Sequence, residues 1–239
     1  MYLSRLEKII SILLTMAASA SIVLSQEATP DVASTSPTPA PSTSPTSAAP
    51  RSVRISFVPP PLEGTISLGI YDNAGKLVRV LHRHASLDDF TIGADALQTK
   101  WDGKDDYGQD LPAGKYRAHG FMVGSLQVEN VPVDPAATPP PSNNDNIAIR
   151  LTANPLVKND RPNVRLAVGF DDTDSFLKTA DQLPLYIISE RSGISSVVAT
   201  KPGEKSIDVW QNSSAGPEHF RISKLDQMMA FDCGAFDLK

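Results

Sequence analysis

The sequence predicts an all-β protein, because short apolar runs alternate with residues that favour turns. In residues 52–58 every second residue is apolar, so that Val53, Ile55 and Phe57 share one face of a half-buried strand. Glycine, proline, asparagine and aspartate separate such runs at spacings typical of antiparallel strands. Packed antiparallel sheets are therefore predicted rather than an α/β fold.

The amino-acid composition and net charge argue against some classes of binding partner. The chain has 239 residues, of which 41% are hydrophobic, and a formal net charge of -5. This length allows one or two domains with hydrophobic cores. The acidic balance argues against nucleic acid as a partner, because nucleic-acid binders carry a basic patch or stripe. No cluster of Lys or Arg occurs after the first ten residues, which argues against binding to anionic membrane surfaces as well.

The N-terminus has the three parts of a secretory signal, predicted over residues 1–25. Arg5 and Lys8 supply a positive start, residues 9–24 are apolar and uncharged, and small residues precede Gln26. The apolar stretch is shorter than the roughly 20 residues that a membrane-spanning helix needs. We therefore expect cleavage, export to the periplasm, cell surface or medium, and no membrane span in the mature chain. An uncleaved N-terminal anchor is the alternative.

Two proline-rich segments divide the rest of the chain. Residues 26–50 are almost entirely Ala, Ser, Thr and Pro, and residues 134–146 are rich in Pro, Ala, Asn and Ser. Such segments bury too little apolar surface to offset the entropy of folding, so both are predicted to be linkers. Residues 51–133 and 147–239 are then predicted to be two domains.

The first domain contains a hairpin and a long acidic turn. Residues 65–71 and 77–81 are predicted strands around an Asn/Gly turn. A strand at 98–101 precedes a long turn, residues 102–114, which contains four aspartates and three glycines and which we name the acidic turn. The last two predicted strands are 115–123 and 126–131.

The hairpin and the acidic turn together carry a family resemblance. The segments IYDNAGKLVRVL and WDGKDDYGQDLPAGKY resemble the immunoglobulin-like domain of the flagellar hook-capping protein FlgD, a module that recurs in secreted bacterial proteins. The residues that match its pattern include Asp72, Gly75, Trp101, Asp102, Gly103, Gly108, Pro112, Gly114 and Tyr116. The resemblance covers residues 52–133 only. It implies an immunoglobulin-like β-sandwich with a structural or interaction role.

Two acidic clusters are candidate cation sites. Asp102 and Asp106 begin an alternating set of ligands, but Lys104 occupies a ligand position and no bidentate glutamate follows at the usual distance. In the second cluster, Asp172 and Asp174 would need ligands from elsewhere in the chain. A hydrogen-bonded turn is the preferred interpretation of both clusters, and calcium binding is the alternative. No metal or other cofactor is predicted.

Residues 147–239 have the spacing of an antiparallel meander. The predicted strands are 147–151, 163–170, 185–189, 195–199, 207–211 and 220–223. This rhythm is similar to that of β-propeller blades, which usually have four strands, but the region is too short for a closed propeller. A compact sandwich and partial propeller-like blades both fit the pattern.

Few other side chains suggest chemistry. His82 and His84 are predicted to share one face of a strand, either as a metal pair or, beside Arg79 and Arg83, as a solvent-facing basic edge. Cys233 is the only cysteine, so no internal disulfide is possible. It is predicted to be a small, half-buried apolar residue, with a reactive thiol as the alternative.

The function expected from these patterns is non-enzymatic. The sequence contains no Gly-x-Ser-x-Gly, His-Glu-x-x-His, P-loop or dinucleotide fingerprint. We expect an exported protein that acts in protein interaction or cell-envelope architecture, with a protein or an envelope polymer as its partner. A carbohydrate-binding or carbohydrate-processing accessory protein is one alternative, with Tyr186, Trp210 and Phe220 as candidate contacts. A truncated relative of a larger β-propeller protein is another.

Overall fold

Four antiparallel sheets make up the part of the chain that the computed structural model describes, residues 51–133, 147–157 and 162–239. These residues form fifteen strands, and they include no α-helix. The all-β prediction is therefore confirmed. The predicted signal peptide and both predicted linkers lie outside the described residues, so they stay predictions.

The first sandwich consists of a three-stranded and a four-stranded sheet. Its strands are β1 (Val53–Phe57), β2 (Thr65–Tyr71), β3 (Leu77–Ala85), β4 (Thr91–Ile92), β5 (Leu97–Trp101), β6 (Gly114–Val123) and β15 (Met228–Leu238). The sheet orders are β1-β5-β4 and β15-β6-β2-β3. A short 3₁₀ turn, Leu87–Asp89, connects β3 to β4. One core lies between the two sheets, with Trp101 fully buried in it.

The second sandwich consists of two four-stranded sheets around a separate core. Its strands are β7 (Gln127–Val131), β8 (Ile147–Arg150), β9 (Asn163–Phe170), β10 (Asp174–Thr179), β11 (Pro184–Glu190), β12 (Ile194–Gly203), β13 (Ser206–Ser213) and β14 (Gly216–Ser223). The sheet orders are β11-β10-β9-β8 and β12-β13-β14-β7. Phe121, Val123 and Met228 join this core from the outer face of the first sandwich.

The second sandwich is inserted between the last two strands of the first. Strand β15 pairs with β6 along its whole length, from Met228 opposite Val123 to Leu238 opposite Gly114. Strand β7, from the region predicted as the first domain, pairs instead with β14. Strands are thus exchanged across the division that the sequence predicts between residues 133 and 147, and each sandwich needs both sequence regions.

Strand β3 is irregular, and this corrects the expectation for its two histidines. Its register against β2 shifts at several points, and His84 has a positive φ of 53°. The His82 Nε2 atom lies 2.7 Å from the Thr99 Oγ1 atom inside the first sandwich, whereas the His84 ring meets Tyr186 of the second sandwich edge-on. The predicted shared face was wrong, because a bulged strand loses the two-residue alternation. Both imidazoles are half-buried, and burial lowers the pKa of each.

Candidate functional site

The acidic turn is anchored by Trp101. The Trp101 Nε1 atom donates a hydrogen bond of 2.8 Å to the carbonyl oxygen of Lys104, and the indole meets Tyr116 and Phe236 edge-on. The Tyr116 hydroxyl in turn donates to the carbonyl oxygen of Pro112 at 2.8 Å. The beginning and the end of the turn are therefore both tied to buried aromatic residues.

Two five-residue turns in the first sandwich share one hydrogen-bond pattern. In the turn that starts at Asp72 and in the one that starts at Asp105, the aspartate Oδ1 accepts bonds from the amides two and four residues later. The fourth residue is glycine in both, and Gly75 and Gly108 have the same φ of 77°. These aspartates bond their own backbone, as an Asx-turn requires.

We expect Gly108→Ala to lower the free energy of unfolding by about 1 kcal/mol, because a Cβ is strained at positive φ. No heavy atom lies within 4 Å of the position that this Cβ would take, so the effect isolates backbone strain. Urea unfolding gives the measurement. Gly114→Ala is the matched control, since the nearest atom would be 4.0 Å from its Cβ and its φ is not positive. Equal effects of the two substitutions would contradict the explanation.

Three of the four candidate metal ligands accept a hydrogen bond or form an ion pair within the protein. Asp102 accepts a hydrogen bond from the Lys104 amide, and Asp106 accepts one of 2.9 Å from the Val80 amide in β3. In the second sandwich, Asp174 pairs with Arg83 at 3.4 Å, and Asp172 is exposed. Within the described ranges, no group of three or more His, Cys, Asp or Glu side chains is placed to hold a metal ion.

The three candidate sugar contacts do not come together. Phe220 is buried in the core of the second sandwich, and Tyr186 packs against that core from β11. Trp210 lies on β13 with one face stacked on His219, at a centroid separation of 4.1 Å. On the neighbouring strand β12, the residue paired with Trp210 is Val198. These aromatic rings therefore form no common platform for a sugar.

Cys233 packs against the core of the first sandwich and is half-buried. Burial, together with the neighbouring Asp232 carboxylate, raises the pKa of its thiol to about 12. At neutral pH this side chain is a protonated thiol with low nucleophilicity.

A cleft of about 630 Å³ lies where the two sandwiches meet; we name it the junction cleft. Strand β3 and the acidic turn form two of its walls, and the turn between β10 and β11 forms the third. Its apolar lining residues are Leu77 and Val80, which pack against the second core, and Val78 and Leu111, which pack against the first. Tyr107, at the tip of the acidic turn, lies at the rim and is 88% exposed.

The charges at the junction cleft are predominantly negative. Its lining contains the carboxylates of Asp105, Asp106 and Asp181 and the single ammonium group of Lys76. Arg79 lies beside the cleft, with its Nε 3.8 Å from the Asp106 Oδ1 atom, and offsets part of this charge. A ligand that presents a basic group to the cleft would meet a favourable potential.

Three side chains from separate elements meet beside the junction cleft. The rings of Tyr71 on β2 and His119 on β6 are stacked at a centroid separation of 3.7 Å, and the His119 Nε2 lies 3.8 Å from the Asp181 carboxylate. Burial of Tyr71, with the nearby Asp181 charge, strongly raises the pKa of its phenol. Burial opposes ionisation of Asp181, but the polar groups of His119, Thr179 and Tyr71 around it favour the carboxylate more strongly and lower its pKa. This contact fixes the third wall of the cleft against the first sandwich.

Arg83 makes a second tie between the sandwiches. Its guanidinium lies 3.2 Å from the Asp171 carboxylate and 3.4 Å from that of Asp174, and 4.7 Å from the centre of the Phe176 ring. This contact and the inserted topology both join the two sandwiches beside the junction cleft. Ligand sites commonly lie at such junctions.

Acid is expected to loosen this junction through Asp171. Burial of Asp171 works against ionisation, but hydrogen bonds from Thr173, the Asp174 amide and Arg83 outweigh it and lower the pKa from 3.8 to about 2. Because the folded pKa is the lower one, the stabilisation is complete above about pH 4 and is lost as the pH falls towards 2. We expect the melting temperature to fall over this range and the fall to be shallower in Asp171→Asn.

Asp172→Asn is the matched control for this pH dependence. Asp172 is the exposed neighbour of Asp171, and the described part of the structure shows no hydrogen bond or ion pair from its carboxylate. Thermal unfolding followed by circular dichroism at pH 2, 3, 4 and 6 measures the effect. A slope in Asp171→Asn as steep as in Asp172→Asn would contradict the assignment.

Sequence reasoning missed most of the junction cleft. Tyr71, His119 and Asp181 come from three separate elements, and no local pattern connects them. Tyr107 carried a readable signal, because an aromatic residue just before the glycine of a tight turn has little core to enter.

Comparisons of the chain with protein-family models, with curated proteins and with solved structures found no match. Among the described residues, no helix has the length and apolar character needed to cross a membrane. A function for this protein is therefore inferred from the geometry of the junction cleft.

Proposed function

We propose that this is an exported, non-enzymatic protein with an interaction role in the cell envelope, and that the junction cleft is where it contacts a protein partner. One observation carries the proposal. Tyr107 is 88% exposed at the rim of the cleft, on a turn whose backbone is hydrogen-bonded by the Asp105 carboxylate and the Trp101 indole. Tyrosine is enriched at protein interfaces, because its side chain supplies a large contact area for few rotatable bonds.

The chemistry of the cleft selects an extended segment with one apolar and one basic side chain. The apolar side chain would contact Val78, Val80 and Leu111 beside the Tyr107 ring, and the basic side chain would lie near Asp105 and Asp181. Burial of apolar surface supplies the affinity, whereas the carboxylates mainly provide orientation and a faster association rate.

Further support comes from the sequence. The FlgD-like pattern of residues 52–133 is that of an interaction module, and the N-terminal signal features favour export. No observation specifically favours a truncated relative of a β-propeller protein. The hypothesis of a carbohydrate site built on Tyr186, Trp210 and Phe220 is not favoured, because these three rings do not lie together.

Photo-crosslinking tests this proposal. A benzophenone amino acid placed at position 107 of the full chain should form a discrete adduct with one envelope protein, and 0.5 M salt should weaken the adduct. Position 92 is the matched control, because Ile92 is also an exposed apolar residue, at 78%, but lies on β4 and does not line the cleft. Tyr107→Ser without the probe should reduce copurification of the same protein. No adduct, or equal adducts from both positions, would overturn the proposal.

A further inference from the structure

The outer face of the three-stranded sheet in the first sandwich carries two exposed cations without a direct ion-pair partner among the described residues. Arg54 on β1 and Lys100 on β5 are direct cross-strand partners, and both are exposed. Side chains of such partners lie about 5 Å apart at Cβ, where like charges destabilise the sheet. Within the described residues, neither cation has a carboxylate partner at ion-pair distance, whereas Lys115 and Arg117 of the same sandwich do, in Asp237 and Asp232.

Neutral hydrogen-bonding groups surround this pair. On the same face, Ser56 of β1 and Thr91 of β4 both lie opposite Gln98 of β5. Arg54, Lys100, Gln98 and Thr91 are among the residues that line a pocket of about 400 Å³ on this face. Its lining residues carry charged, hydroxyl or amide side chains, so the face lacks the apolar side chains that a protein interface of ordinary composition would present.

One carboxylate also lines this pocket, that of Asp89. It accepts hydrogen bonds from the Ser86 amide at 2.7 Å and from the Ser86 hydroxyl at 3.1 Å, which hold it at the 3₁₀ turn. Its charge offsets one of the two cations, but among the described residues it forms no ion pair with either of them. A second pocket of about 330 Å³ is lined by Arg54, Arg51 and Lys239 together with the carboxylate of Asp237, so cations outnumber carboxylates along β1.

We infer that this face binds an acidic polysaccharide. The carboxylates of the sugar chain pair with Arg54 and Lys100, and its hydroxyls exchange hydrogen bonds with Gln98, Thr91 and Ser56. The planar guanidinium of Arg54 suits a carboxylate, and a row of amide and hydroxyl groups suits the neutral part of a sugar ring. Because the chain as a whole has a net charge of -5, the attraction is local to this face. The site is separate from the junction cleft and does not depend on it.

Affinity electrophoresis of the full chain tests this inference, with polygalacturonate as the probe and dextran as the neutral control. Polygalacturonate should retard the protein and dextran should not. Arg54→Gln combined with Lys100→Gln should weaken the apparent affinity roughly tenfold, since two charge contacts are lost at each engagement with a multivalent polymer. Raising the salt from 0.1 M to 1 M should abolish retardation, because the Debye length falls from about 10 Å to about 3 Å.

A second double variant distinguishes binding at this sheet face from a general effect of the protein's net charge. Arg117→Gln combined with Lys205→Gln removes two exposed cations that are paired with Asp232 and Asp226 away from this face, and it should leave retardation unchanged. No retardation of the wild-type chain, or equal losses in the two double variants, would overturn the inference. Stronger retardation by polyphosphate than by polygalacturonate would overturn the carboxylate assignment in favour of a phosphate polymer. Tyr107→Ser should bind polygalacturonate normally, so that failure here and failure of the proposed function remain distinguishable.

Discussion

A chain that ends at Ser223 is expected to lose cooperative folding of the first sandwich. Strand β6 would lose β15, one of its two hydrogen-bonded neighbours, and the first core would lose Phe231 and Leu238. The second core would lose Leu225 and Met228 at the same time. Many backbone groups and buried side chains are removed together, so the loss should exceed the 5–15 kcal/mol that stabilises a typical domain. Near-ultraviolet circular dichroism and the dispersion of amide proton signals measure it.

Peptide complementation provides the control for this truncation. A synthetic peptide of residues 224–239 should restore the native spectrum when it is added in excess, because it supplies the missing strand. Deletion of Lys239 alone leaves β15 whole and should leave the fold intact. A truncated chain that unfolds at the same urea concentration as the full chain would refute the strand exchange.

Trp101→Ala is expected to lower the free energy of unfolding by about 3–5 kcal/mol, the range for large aromatic residues in cores. The side chain is fully buried, contacts Tyr116 and Phe236, and donates a hydrogen bond to the acidic turn. Its removal leaves a cavity and also an unpaired carbonyl oxygen at Lys104. Urea unfolding followed by tyrosine fluorescence and circular dichroism gives the value.

The conservative variant Trp101→Phe separates packing from the hydrogen bond. It keeps an aromatic ring in the core but cannot donate to the Lys104 carbonyl, so a smaller loss, between that of Trp101→Ala and zero, is expected. Trp210→Ala, at the half-buried tryptophan of the second sandwich, should cost less than Trp101→Ala. If Trp210→Ala is the more damaging of the two, the anchoring role of Trp101 is wrong.

Local patterns in the sequence located much of the first sandwich. The alternation in β1 and β2 and the turn that starts at Asp72 depend only on neighbouring residues, and the structure places them where the alternation predicts. The strand predicted at 98–101 is also present, and Trp101 at its end is fully buried, as a large aromatic side chain favours.

Long-range pairing could not be predicted in the same way. Strand β15 has small residues and a register shift at Gly234, so its apolar alternation is broken. Nothing local reveals that it returns to β6, and Arg117 and Asp232 pair although they are 115 residues apart. The junction cleft and the basic sheet face depend on such pairings, and periodicity within single segments does not record them.

The inserted topology determines how mechanical load travels through the protein. Val123 and Met228 are paired residues, so the chain enters and leaves the second sandwich at one point, and the bonds between β6 and β15 bridge that point. Tension applied through residues 51 and 239 would therefore be carried by the first sandwich, with Arg51 already bonded to the Lys239 carbonyl. The second sandwich would stay unloaded until β15 is pulled away from β6. In single-molecule stretching, its extension should appear only after the first sandwich has ruptured.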